Sequence, residues 1–107
     1  MTILLAAYLL MTTAAADIPD SITVSRDIVY ATVGEQDLKL DIYWQQNSSE
    51  PLPLVVWIHG GAWRAGSKEN PRALPLLSKN YAIASVQYRL SQEAIFPAQI
   101  HDCKAAI

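Results

Sequence analysis

The feature that most constrains this chain is the stretch "LVVWIHGGA", residues 54–62. From Leu54 to His59 it shows no polar alternation, which is how a strand covered on both faces reads. Two adjacent glycines then break it. "YAIASVQY", residues 81–88, is a second mostly apolar strand. A crossover of about 20 residues joins the two, which favours a parallel, right-handed pair. Inside it, Asn70 followed by Pro71 has the form of a helix start, with Asn as cap and Pro in the first turn. Leu74, Leu76 and Leu77 give that helix an apolar side. Pro75 lies late for a first-turn proline, so the helix either begins nearer Ala73 or bends. Asn80 is the expected terminator.

Upstream, Ile22–Val33 is strand-like, and Gly34-Glu35-Gln36-Asp37 supplies a turn. "LKLDIYW", residues 38–44, alternates cleanly. Leu38, Leu40 and Ile42 share one face, and Lys39, Asp41 and Tyr43 share the other. The expectation is an antiparallel hairpin with one wet face. Residues 45–53 form a surface loop by composition. They contain Asn47-Ser48-Ser49, which matches the N-glycosylation pattern. Downstream, Phe96-Pro97 opens another helix, in which Ile100, Cys103 and Ile107 recur at helical spacing. The fold class is therefore α/β: an antiparallel hairpin, then strand, helix, strand, helix. Two strands that ask for cover on both sides have about one and a half helices to provide it. The expectation is the N-terminal portion of a larger domain.

Composition narrows the partners. The 107 residues are 51% hydrophobic and 17% charged, with a net charge of −2. That is globular, and the Lys and Arg residues are scattered, which argues against nucleic acid. No run reaches the roughly 20 apolar residues of a spanning helix. The first residues read as a secretory signal: an apolar centre from Ile3 to Met11, then Ala14-x-Ala16 before Asp17, with cleavage after Ala16. No Lys or Arg precedes the apolar centre, and a buried N-terminal strand or helix is the alternative. The expected division is residues 1–16 as signal and 17–107 as the N-terminal part of the larger domain, secreted or periplasmic, with no membrane contact after signal removal. Cys103 is the only cysteine, so no internal disulfide forms, and it reads as a small buried hydrophobe.

Three mechanisms place glycines just after a buried strand. Phosphate binding fails because "GAWRAGSK" has Ser-Lys where a P-loop needs Lys-Ser or Lys-Thr, and Trp63 and Arg64 crowd the wrap. Dinucleotide binding fails because G-x-G-x-x-G is absent. An oxyanion hole fits: glycine lets main-chain N–H groups turn toward developing negative charge. Gly61 and Ala62 are the expected donors, and a loop at a strand's C-terminal end is where α/β sheets carry their sites.

At these residues the chain resembles a known family. His59-Gly60-Gly61-Ala62-Trp63 is similar to the HGGG-type oxyanion loop of α/β-hydrolase-fold esterases and lipases. Tyr88-Arg89-Leu90-Ser91, then Phe96-Pro97-Ala98 and Asp102, are similar to the next landmarks of that group, closest to its feruloyl-esterase-like branch. The resemblance implies a serine hydrolase acting on a small-molecule carboxylic ester, with no cofactor and no metal. It also implies a nucleophile in G-x-S-x-G, with an acid and a histidine still later. No G-x-S-x-G occurs in the 107 residues, so the expectation is a portion truncated before the nucleophile elbow. Ser67 follows Gly66 but precedes Lys68 and Glu69, and reads as a loop hydroxyl. His59 is expected to brace the glycine loop with Gly60 and Trp63. His101 is expected on a helix surface, and Arg89 and Asp102 are the right types for an ion pair. Two other readings stay open: a non-catalytic secreted fragment, and a peptidase or acyltransferase of the same fold.

Overall fold

The computed structural model describes residues 21–48 and 50–107. The signal expected over 1–16 lies outside the described residues. Four strands form one sheet: β1 (Ile22–Val33), β2 (Gln36–Gln45), β3 (Leu54–Ile58) and β4 (Ala82–Val86), in the order β1-β2-β4-β3. The first two make the expected antiparallel hairpin, and β2 pairs antiparallel with β4. β3 and β4 pair in parallel, from Leu54 opposite Ala82 to Ile58 opposite Val86. The hairpin closes through Gly34 at φ 60°, a left-handed turn position that suits glycine. Twice the β1–β2 register slips, between Ser25 and Ile28 and between Val29 and Ala31. Each slip is a β-bulge, and Asp27 in the first adopts φ 58°.

Register assigns the faces. Leu40 lies opposite Val86 and Ile42 opposite Ala84, whereas Asp41 lies opposite Ser85 and Tyr43 opposite Ile83. The face expected to be wet is in fact covered. Tyr43 and Ile83 are buried with Ala73 and Leu77, and Val55, Trp57 and Leu74 pack around them. Asp41 is fully buried. Alternation misreads this face because tyrosine carries a large apolar ring and because Asp41 meets cations brought in from far along the chain.

Of the two starts open to the crossover helix, the structure takes the one at Ala73: a 3-10 helix spans Leu74–Lys79, entered through Ala73. Pro75 stands at its start, where a missing N–H costs nothing. Asn70, at φ 49°, is not the cap. Asn80 terminates the turn as expected, in a left-handed conformation with its N–H on the Leu76 and Leu77 carbonyls. Among the described residues β3 lies at the edge of the sheet. Its Val55 and Trp57 are half-buried on the 3-10 side, while Leu54 and Ile58 are 54% and 40% exposed. Helix α1 (Ala98–Ala106) follows the cis Phe96–Pro97 bond. Its buried residues are Gln99, Asp102 and Cys103, and Ile107 is exposed, so a partly polar stripe faces inward instead of the Ile100–Cys103–Ile107 stripe. Cys103 is a buried free thiol, and burial pushes its pKa up.

Candidate functional site

The loop from His59 to Lys68 leaves the C-terminal end of β3 beside the C-terminal end of β4. Its backbone is unusual: Gly61, Ala62 and Trp63 have φ of 123°, 54° and 63°, and Gly66 has 94°. Two of these are L-residues in the left-handed region, where each costs roughly 1–2 kcal/mol. Contacts around the loop hold that conformation, and they act on its carbonyls. Tyr88 Oη–H donates to His59 O at 2.7 Å. The Gly60 carbonyl lies 2.8 Å from His59 Nδ1. Gly61 O accepts from the N–H groups of Arg64 and Ala65 at 3.0 and 3.1 Å. Trp63 O accepts from the N–H and hydroxyl of Ser91, and Arg64 O from the Gln92 side chain.

These bonds determine where the amides point. A trans peptide unit is planar and holds its C=O and N–H in opposite directions. Gly60 C=O shares a unit with Gly61 N–H, and Gly61 C=O shares the next with Ala62 N–H. With both carbonyls bonded within the loop, both N–H groups face the other way. Among the described residues neither donates a hydrogen bond, and both residues are exposed.

Glycine is required at two positions of this loop but not at the third. A Cβ on Gly61 would collide with the Ala65 carbonyl, and one on Gly66 with Gly60 O and His59 Nδ1. Around Gly60 nothing lies within 4 Å of such a Cβ. Gly66, read from sequence only as half of a failed phosphate motif, is the position where the loop closes back on the His59 imidazole.

His59 is 8% exposed, and its ring stacks on Tyr88 with centroids 4.3 Å apart and planes 11° from parallel. Donation to Gly60 O assigns the proton to Nδ1. Nε2 is then the acceptor nitrogen, buried and without a partner among the described residues. Trp63 meets the same Tyr88 ring edge-on at 5.3 Å and is 41% exposed. His101 is exposed on α1, and Ser67 Oγ accepts the Glu69 N–H at 3.2 Å, a local turn bond. A groove of about 460 Å³ between Gln45, Glu50–Pro53 and Lys79–Tyr81 lies at the N-terminal ends of β3 and β4, away from this loop.

A family model described as BD-FAE matches residues 40–107, which include the whole loop. The chain belongs to the BD-FAE family. Over 77 residues it is 35% identical to carboxylesterase NlhH of Mycobacterium tuberculosis, covering 69% of this chain and 24% of that protein. Kynurenine formamidase of Danio rerio is 27% identical over 88 residues, covering 79% of this chain and 30% of that protein. Among solved structures, a bacterial heroin esterase superposes with TM-score 0.74 at 30% identity, covering 88% of this chain and 31% of that one. A truncated carbohydrate esterase from gut microbiota gives TM-score 0.72 at 35% identity, covering 83% and 33%. The mixed sheet is thus the N-terminal portion of an α/β-hydrolase fold, and the chain spans about a quarter to a third of the length of these relatives.

Two clusters support the loop of this BD-FAE chain. In the first, Arg89 pairs with Asp102 as the residue types suggested. Nε and Nη2 reach the two carboxylate oxygens at 2.8 and 2.7 Å, and the Arg89 N–H adds a bond of 2.9 Å. Burial opposes the charge on Asp102, but these bonds outweigh it and hold the carboxyl below its usual range. The pair fixes the backbone next to Tyr88, and so the ring that braces His59. The second cluster has no trace in local spacing. Lys68 joins Asp27, Asp41 and Glu69, residues separated by up to 42 positions, and no sequence pattern links them.

Proposed function

We propose that this chain carries the oxyanion-binding half of an exported hydrolase of carboxylic esters. The observation behind this reading is the orientation of two adjacent amides, Gly61 and Ala62, whose own carbonyls are bonded within the loop. Fixed donors of this kind stabilise the oxyanion of acyl transfer without reorganising, each worth roughly 3–4 kcal/mol. A nucleophilic hydroxyl oxygen adds to the ester carbonyl carbon while a base takes its proton. The carbonyl π electrons move to oxygen, where the N–H groups receive them. Collapse expels the alcohol, which takes the proton back, and water repeats the sequence on the acyl intermediate. In the family's pattern the nucleophile, acid and histidine lie downstream of the elements seen here. His59 braces, Gly60 gives its carbonyl to that brace, and Trp63 stands exposed beside the donors as a wall for the acyl or alcohol group.

Kynurenine formamidase is among the similar proteins, which favours amide hydrolysis as a second reading, since every acyl transfer passes through an oxyanion. The intact protein is expected to hydrolyse short-chain p-nitrophenyl esters faster than the matching anilides. The 107 residues alone should show no turnover above a Gly61→Pro control. Turnover by those residues alone would overturn the division of labour, and preference for anilides would favour the second reading.

Export is part of the proposal, carried by the apolar centre Ile3–Met11 and the Ala14-x-Ala16 site. Mass spectrometry of the mature protein should find Asp17 at its amino terminus. A retained Met1 would refute cleavage.

A further inference from the structure

Residues 60–67 are all exposed, and then Lys68, ordinarily among the most exposed of residue types, is buried at 6%. Its ammonium lies 2.9 Å from Asp27 Oδ1, 3.0 and 3.1 Å from the two oxygens of Asp41, and 3.2 Å from Glu69 Oε1. Its carbonyl accepts the buried Ser85 hydroxyl at 2.7 Å. Asp41 and Ser85 are register partners on the two central strands, so main chain and side chain of one residue are clamped to the same spot on the sheet. The bulge in β1 completes the seat, because Asp27 at φ 58° turns its N–H onto Asp41 Oδ1 at 2.8 Å. Arg26 stands further off, 3.4 Å from both Asp41 and Glu69.

We propose that Lys68 is a positioning residue that holds the Gly61 and Ala62 amides in place by tethering the end of their loop to Asp41 and Asp27; this rests on the reading of those amides as oxyanion donors. The path is short. Lys68 lies two residues beyond Gly66, and Gly66 sits so close to Gly60 O and His59 Nδ1 that no Cβ fits between them. Gly60 O shares its peptide unit with Gly61 N–H. Three successive positive φ values at residues 61–63 need an external hold, since two belong to L-residues that relax elsewhere when released. A buried ion pair is a poor source of stability compared with apolar packing. What it supplies is direction: an ammonium satisfied by three carboxylates has one place to sit. Burial opposes the charge on Lys68, but the hydrogen bonds it donates to the carboxylates outweigh it and raise its pKa, so the tether stays charged at neutral pH.

The test is Lys68→Met in the intact protein, with two readouts. Turnover of a p-nitrophenyl ester is expected to fall by about 10–100-fold in kcat, with KM within about twofold, the penalty of a displaced reacting group. Affinity for a trifluoromethyl ketone, which forms the tetrahedral adduct, should fall in parallel. In amide NMR spectra, the Gly61, Ala62 and Trp63 resonances are expected to shift or broaden while those of Ile100–Lys104 in α1, which does not touch Lys68, stay in place. Unchanged 61–63 amides would overturn the proposal, as would equal changes in α1, which would mark Lys68 as a general stabiliser. Where Lys68→Met fails to fold, Asp27→Asn removes one carboxylate at an exposed position, and a smaller change of the same pattern is expected. Absence of ester turnover in the unsubstituted protein would count against the proposed function, whereas the amide spectra decide the tether on their own.

Discussion

Replacing Gly61 with alanine in the intact protein is expected to lower kcat toward esters by about 10²–10³-fold, the loss seen when one oxyanion donor is removed. At φ 123° an L-residue is strained, and its Cβ would collide with the carbonyl of Ala65. Relief requires the 60–61 or 61–62 peptide to rotate, and rotation turns a donor away from the oxyanion. KM should change little, because the N–H groups act on charge that exists only in the transition state. Gly60→Ala is the comparison. It meets nothing within 4 Å, so its cost in stability should be well below that of Gly61→Ala. Steady-state kinetics with thermal melts of both variants separates lost donors from lost fold. Equal kcat in Gly61→Ala and the unsubstituted protein would rule these amides out as the donors.

Arg89→Met should be the most damaging substitution for stability, by about 3–5 kcal/mol at neutral pH, because it strands the buried Asp102 carboxylate. The pH dependence has a definite sign. In the unsubstituted protein Asp102 titrates below its ordinary value, so its stabilisation is complete above about pH 4 and fades as pH falls through the depressed pKa. In Arg89→Met the guanidinium's bonds and charge are gone and only the residue-89 main-chain N–H still favours the carboxylate, so burial raises that pKa and protonation relieves the variant. The gap between the two proteins should therefore shrink on acidification. Urea unfolding at pH 7 and pH 4 measures it, and a gap that widens at pH 4 would refute the assignment. Arg89→Met with Asp102→Leu should recover part of the loss, since neither charge is then left without its partner. Tyr88 precedes Arg89 in the chain and stacks on the His59 ring, so the single variant is also expected to loosen the glycine loop.

Residues close in sequence made much of this protein legible. The hairpin, the parallel pair and the terminating Asn80 follow from alternation, continuous apolar runs and left-handed propensity, all of which act within a few positions. The same locality exposed the glycine loop, because His-Gly-Gly-Ala after a buried strand leaves few uses for its backbone. Where reading failed, the cause was contact across the sheet. Tyr43 and Asp41 were assigned to water by their residue type, yet the 3-10 turn covers one and Lys68 neutralises the other. Of the helix starts that Asn70 and Pro75 left open, packing selects the one at Ala73, a 3-10 turn at Leu74–Lys79 whose Leu77 joins Tyr43 and Ile83.

The sequence by itself determined the fold class, the order of the strands along the chain and the loop that bears the candidate donors. Only the tertiary structure decided how that loop is held: Gly66 against His59, Tyr88 stacked on the His59 ring, and Lys68 seated between a bulge and two central strands. Local pattern reports a residue's preference for water or backbone shape. It does not report which distant charge or ring will arrive to satisfy a residue that prefers water and is buried nonetheless, and in this chain those distant partners orient the amides.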